Sequence, residues 1–488
     1  MHTAETAEAA RLQNSTDQAP VDSHSSWRRD VVFYLLAAVL IAWCIRVFLP
    51  RTIAQRTTEL IPITIKFVVT AGLRGVCRLL HASPGDLPLM LQIFSFLVLF
   101  TVIRRYRIGG LIKSGGNVRL LLLALLSFPV LIAFDALTST AVMYAYVELA
   151  NYVLLVTFIL LLAILGNQYW WRFLATVIGC CVVLQSLYAI GNYWTGKAVY
   201  TSPGIGHRAV GTFQTPNTLF PICMMAALFF IALALNEDNK WRGRAYVLCA
   251  AITGMAMILT FSRAAGIGLA AGLIFLGLAE NRRRGPIILG AMGLIVMMVM
   301  VLARAAPKQT GVVGTDRSAM GRVYIWRTAM RIIGDNWLIG VGHYGYRDKQ
   351  WEYAGEKLKQ FRPTNIDAKN QYLTMAADHG LVGMMVMGFF IYAVWTACRW
   401  CKEGRPSDWE PRMQQGIRLA GIAILAASLV DTPLFSYQRF QGTMMWLLCV
   451  GFLLNTHIRS SAAYRQQVSS EIGTSLSPSL PTRSYGGG

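Results

Sequence analysis

The sequence predicts an all-α polytopic membrane protein, with about twelve transmembrane helices and one large helical outward-facing loop between the late helices. Three observations carry this. Hydrophobic residues make up 55% of the chain and charged residues 14%, at a mean hydropathy of +0.46; a soluble fold cannot hide that much apolar surface. Runs such as Ala245–Phe261 and Pro286–Ala303 approach the length needed to cross a ~30 Å hydrocarbon core, whereas barrel strands would alternate apolar and polar positions over roughly ten residues. Last, a single polar stretch from Arg304 to His379 interrupts the apolar runs.

Residues 1–30 are rich in Ala, Ser, Thr and Gln and are expected to be a disordered tail; Trp27, Arg28 and Arg29 before the first apolar run favour a cytoplasmic amino terminus. The transmembrane part, 31–457, contains apolar runs at 31–49, 87–103, 118–135, 141–165, 170–194, 217–235, 245–261, 265–280, 286–303, 381–397, 416–433 and 442–457. A further run, 61–80, holds Lys66, Arg74 and Arg78. Each charge costs roughly 2.5–3.5 kcal/mol at mid-bilayer, so 61–80 reads as an amphipathic segment on the outer surface. With that segment outside the bilayer, the basic loops around Arg104–Arg119, Lys240–Arg244, Arg282–Arg284 and Arg399–Arg412 all fall on the cytoplasmic side. Residues 458–488, rich in Ser, Pro and Gly, read as a second disordered cytoplasmic tail.

The net charge of +21 is spread over short loops rather than gathered on one polar domain, which argues against nucleic-acid binding. The nine cysteines fall mostly within apolar runs, as buried or interfacial thiols. The loop 304–380 is itself basic, with twelve Lys or Arg against seven Asp or Glu. A basic outward surface suits either a phosphate or pyrophosphate ligand or anionic lipid head groups. Within it, 320–333 has helical periodicity, with Val323, Trp326, Met330 and Ile333 as an apolar stripe. A second helix is expected from near Ala368 into the span at 381.

Arg263 lies at a tight turn between apolar runs, in TFSRAAG (260–266), and either snorkels to head groups or clamps phosphate oxygens through its planar guanidinium. Arg208 lies in the irregular Gly- and Pro-spaced loop entering the span at 217. Arg322 and Arg327 share the loop helix, where they either bind a diphosphate or form a solvated face. Lys369, Asn370, Asp378 and His379 flank the second loop helix, and a partly desolvated lysine can act as a base. Asp431 is a carboxylate at a membrane edge, and such groups are functional or partner an arginine. No metal-ligand spacing and no nucleotide motif are present, so no metal and no cofactor are expected.

The order TFSRAAG, GR-x-x-x-W (321–326), NWLIGVGHYGY (336–346), NQYL (370–373) and DHGLVG (378–383) resembles the O-antigen ligase/O-antigen polymerase superfamily, and GHRAVGTFQTPNT (206–218) resembles that family's earlier outer loop. The resemblance implies a metal-independent, inverting membrane glycosyltransferase of the bacterial inner membrane with its site facing the periplasm. The donor would be a glycan on undecaprenyl diphosphate, and the acceptor lipid A-core in a ligase or a second lipid-linked glycan in a polymerase. It implies that Arg263 and Arg322 hold the diphosphate, with Arg208, Arg327, Asn370, Tyr372, His379 and Asp431 around the substrates. Where the family has a histidine as the base for the acceptor hydroxyl, this chain has Lys369. Lys369 is then either the base or a further phosphate contact assisted by His379, His343 or Asp431, or it marks an inactive member. A polysaccharide or lipid transporter is the alternative from another class; it predicts internal repeats, and the sequence has none that is clear.

Overall fold

The computed structural model describes residues 99–102, 104, 116–138, 142–196, 200–202, 206–213, 215–235, 237–279, 314–355, 367–399, 409–433 and 440–475. The tail 1–30 and the runs at 31–49, 61–80 and 286–303 lie outside these residues, as does nearly all of 87–103. The described helices are α1 (Gly116–Thr138), α2 (Val142–Leu165), α3 (Gln168–Thr195), α4 (Pro216–Leu235), α5 (Lys240–Ile258), α6 (Arg263–Ala279), α7 (Gly314–Asp335), α8 (Gly345–Tyr353), α9 (Gln371–Arg399), α10 (Trp409–Ala427) and α11 (Phe440–Ser475). Among the described residues, Gly116–Ala136, Gln168–Thr195, Pro216–Leu235 and Gln371–Cys398 are long and apolar enough to cross a bilayer, and Leu149–Leu165 and Arg263–Leu278 are shorter apolar helices.

The apolar helices share one core. Helix α4 lies at its centre, with Leu219, Phe220, Ile222, Cys223, Met224 and Met225 sealed from solvent, and packs on α5, α6 and α10. Helix α9 crosses α1, where Phe128 meets Phe390 edge-on at 5.2 Å. Glycines let backbones approach: a Cβ on Gly268 of α6 would fall 2.6 Å from the Ala423 carbonyl of α10. Such small-residue contacts drive helix association where no hydrophobic effect acts between helices. Buried amides close the helix ends. Asn455 of α11 donates through Nδ2 to the Ala163 carbonyl at 2.8 Å and the Gly166 carbonyl at 2.6 Å, capping α2.

Four differences from the sequence reading have physical causes. The outer region 195–216, whose loop entering the span at 217 was expected to be irregular, contains a two-stranded hairpin, β1 (Tyr200–Ser202) and β2 (Gly206–Arg208), antiparallel with Tyr200 opposite Arg208. Helix α7 buries Ile325, Ala329 and Ile332, while Val323 and Met330 are 38% and 58% exposed. Its period was legible, but two apolar stripes overlap on it, and the one that docks is set by Tyr346, Ala354, Ala368 and Ala377 in the loop's own small core. Helix α9 is broken at Gly380, where φ is +61° and ψ is −154°. Helix α11 continues to Ser475, past the expected span end at 457 and into the expected disordered tail. Extending an existing helix adds one hydrogen bond per residue without a new nucleus, and 458–468 is rich in Ala, Arg and Gln, which favour it.

Candidate active site

Two groups of sequence-singled residues form, one on each side of the α6–α10 contact. In the first, Arg208 donates through Nε to the Thr260 carbonyl at 2.7 Å, and the next residue, Ala209, donates its N–H to the Leu259 carbonyl at 2.9 Å. The hairpin therefore lies on the turn between α5 and α6. That turn is tight: Thr260 and Phe261 bond back to Met257 and Ile258, and Phe261 is left-handed at φ +48°. Gly211, which follows the hairpin at φ +60°, holds a backbone conformation that side chains disfavour, and a Cβ there would displace the Gln185 amide, 2.3 Å away. The turn releases Arg263 as the first residue of α6, exposed.

The second group gathers on residues 428–432, where α10 ends. Arg322 of α7 donates through Nη1 to the Val430 carbonyl at 2.9 Å. Asn370 caps α9, its Oδ1 accepting from the N–H groups of Tyr372 and Leu373, and donates through Nδ2 to the Leu429 carbonyl at 2.8 Å. Gln371 donates its N–H to the carbonyls of Ser428 and Asp431. Asp431 is 2% exposed, and its Oδ1 accepts the Thr432 N–H at 2.9 Å. Lys369, at φ +53°, places Nζ 3.3 Å from Oδ1 of Asp367, and Oδ2 of Asp367 accepts from the Thr432 hydroxyl at 2.7 Å.

Helix register brings the groups to one level. Gly268 of α6 faces Ala423 and Ala427 of α10, and Gly272 faces Leu419, so the two helices run antiparallel. Arg263 lies about 7 Å along α6 from Gly268, and residues 428–431 extend α10 by about as much in the same direction. Arg263, Arg322, Lys369, Asn370 and Asp431 thus share one end of the α6–α10 pair, with Arg208 on the adjoining turn.

Three singled residues lie elsewhere. Arg327 is exposed and about 140° round α7 from Arg322. Tyr372 turns inward and donates its hydroxyl to the Leu425 carbonyl at 2.9 Å. His379 is 5% exposed and about 12 Å along α9 from Gln371. Its Nδ1 pairs with Asp135 of α1, and its Nε2 stands 3.5 Å from Nδ1 of His343. Burial, and then the neighbouring His379, hold the His343 ring well below its ordinary value. Beside it, Tyr346 donates its N–H to Asp378 at 2.7 Å, and burial, then Asp367 and Asp378, push the Tyr346 phenol up.

Sequence reasoning missed Asp367 and Asp135. Asp367 lies two residues before Lys369, inside the motif region. Asp135 is a lone carboxylate at the end of an apolar run, a signal of the kind that singled out Asp431.

No curated protein matches the chain. Residues 248–388 match the family model described as O-Antigen ligase, a segment running from α5 into α9 that includes Arg263, Arg322, Lys369 and Asn370. Over that segment the chain is similar to the O-antigen ligase/polymerase superfamily, and the helices long and apolar enough to cross a bilayer fit a membrane protein of that kind.

Proposed function

We propose that the protein transfers a glycan from undecaprenyl diphosphate to lipid A-core, in the manner of an O-antigen ligase, with inversion and without a metal. It does so in the bacterial inner membrane, with about twelve spans, both termini cytoplasmic and the site facing the periplasm. The convergence of Arg263, Arg322 and Lys369 on one end of the α6–α10 pair carries the reading, because leaving-group departure from a diphosphate needs fixed positive charge above all. Arg263 and Arg322 take the diphosphate oxygens, and Arg208 holds the turn that presents Arg263.

The acceptor hydroxyl oxygen attacks the anomeric carbon on the face opposite the diphosphate. The new C–O bond forms as the bond to the diphosphate breaks, and the electron pair leaves with the diphosphate. Lys369 is ion-paired with Asp367, so it serves as a further cationic contact to the leaving group. Asp367 receives the hydroxyl proton. General-base help of this kind contributes about 10²–10⁴-fold.

A transfer assay with purified protein and a lipid-linked glycan tests the proposal, offering lipid A-core and a second lipid-linked glycan as rival acceptors. Transfer to lipid A-core is expected; transfer only to the second lipid-linked glycan identifies a polymerase. Arg263→Ala and Arg322→Ala should each abolish transfer while the protein still inserts, and full activity in both sinks the diphosphate assignment. Asp367→Asn should lower turnover with donor KM little changed, whereas Lys369→Ala should raise donor KM.

A further inference from the structure

Helix α7 carries a second apolar stripe that the loop's own core leaves uncovered. Val323 and Met330 are seven residues apart, close to two full turns, and both are exposed. They lie about 140–180° round the helix from the buried Ile325 and Ile332. The same seven-residue step leads to Trp337, which is exposed together with Leu338 just after the helix ends. The Trp337 and Leu338 carbonyls accept the N–H groups of Leu381 and Val382 at 2.8 and 3.3 Å, on the first turn of α9 beyond its break. Leu381 and Met385, one turn apart on that helix, are exposed as well. The exposed apolar surface therefore runs from α7 through 337–338 onto the flank of α9, a helix long and apolar enough to cross a bilayer.

Both ends of the stripe are tied to span ends. Arg322, the neighbour of Val323, bonds the Val430 carbonyl just past α10, and 337–338 bond the start of the membrane part of α9. These points fall at the ends of the spans expected at 416–433 and 381–397. A stretch of about 22 Å fixed at both ends in this way lies along the bilayer surface rather than projecting from it. We infer that this face of α7, with Trp337 and Leu338, rests in the head-group region of the leaflet on the active-site side, so that its partner is the lipid surface itself. Interfacial helices bury an apolar stripe and keep basic residues beside it, and Arg327 is exposed between Val323 and Met330. An indole favours the boundary between acyl chains and head groups, where Trp337 would lie. Helix α8 takes the other side of α7: Arg331, about 100° round from Met330, donates through Nη1 to the Tyr353 carbonyl at 3.2 Å, which places Glu352 away from the stripe. The inference rests on α9 and α10 being membrane spans and not on the transferase reading.

Photocrosslinking tests it. The full-length protein, in vesicles of phosphatidylethanolamine and phosphatidylglycerol, carries p-benzoylphenylalanine in place of one residue at a time, and adducts are identified by mass spectrometry. In place of Met330, Trp337 or Leu338 the crosslinker should capture phospholipid at a yield comparable to that at Met385, while at Glu352 capture should stay at background. If the crosslinker at one stripe position prevents folding, the other two decide the question. Background capture along the stripe with phospholipid still captured at Met385 overturns the anchor and leaves the span. Loss of capture at Met385 as well overturns both. Crosslinks from the stripe to a second copy of the chain, or to another segment of the same chain, in place of lipid also overturn it, since either gives the stripe a protein cover.

Discussion

Lys369 pays for its position in backbone strain. A side chain at φ +53° costs on the order of 1–3 kcal/mol and persists where its surroundings over-determine it. Here they do: its N–H donates to Oδ1 of Asp367 at 2.9 Å, and the next residue, Asn370, is tied to the Leu429 carbonyl. Lys369→Gly removes the strain together with the ammonium. The melting temperature of that variant should hold or rise, while glycan transfer falls about 10²–10³-fold, the loss typical when one charge-stabilising donor is removed. A variant less stable than wild type with its activity intact would make Lys369 a structural residue. Lys369, Arg263, Arg322, Asn370 and Asp431 were legible because motif order alone identifies them. Asp367 was not: its role depends on the Thr432 hydroxyl, 65 residues away, reaching its second oxygen.

The broken helix α9 is the element that joins the loop to the membrane. Residues 337–342 lie against its backbone: Val341 and Gly342 donate to the Ala377 and Asp378 carbonyls, and Leu381 and Val382 donate to those of Trp337 and Leu338. The break therefore leaves those backbone groups bonded, which a membrane requires. Two glycines make the approach possible. A Cβ on Gly340 would fall 2.4 Å from the Asp378 backbone, and one on Gly380 2.5 Å from the Leu338 backbone, with both glycines at positive φ. Gly340→Ala and Gly380→Ala should each destabilise the protein by more than the ~1–3 kcal/mol of backbone strain alone; melting curves in detergent would show it, and an unchanged midpoint would mean that the segments separate at no cost. The sequence contained DHGLVG and the span beginning at 381, yet the break was not legible. Hydropathy continues smoothly through it, and only the opposing backbone reveals why a glycine is needed.

Across the whole molecule, the contact of Asp135, His379 and His343 joins α1, α9 and the loop before α8. The apolar runs that became α1 to α6 were legible because each satisfies its own backbone and reports its burial by composition alone. A side-chain pair separated by 244 residues has no local signal, and it emerges only when α9 crosses α1. The pairing has a consequence for stability. Burial first, and His379 second, hold the folded His343 ring well below the ordinary 6.5, so the native ring is neutral where an unfolded one would be protonated. Below about pH 6.5 the unfolded state binds the extra proton, so stability is complete above that pH and falls as acid is added, by at most about 1.4 kcal/mol per pH unit for this one group. The fall continues until the pH reaches the depressed native value. His343→Phe, which keeps a ring in the site and removes the titration, should flatten the loss of melting temperature between about pH 6.5 and 5. His379 faces that ring, Asp135 and Asp378 face His379, and all three stay in place in the variant. A wild-type slope that survives unchanged in His343→Phe would therefore move the acid sensitivity to those groups and away from His343.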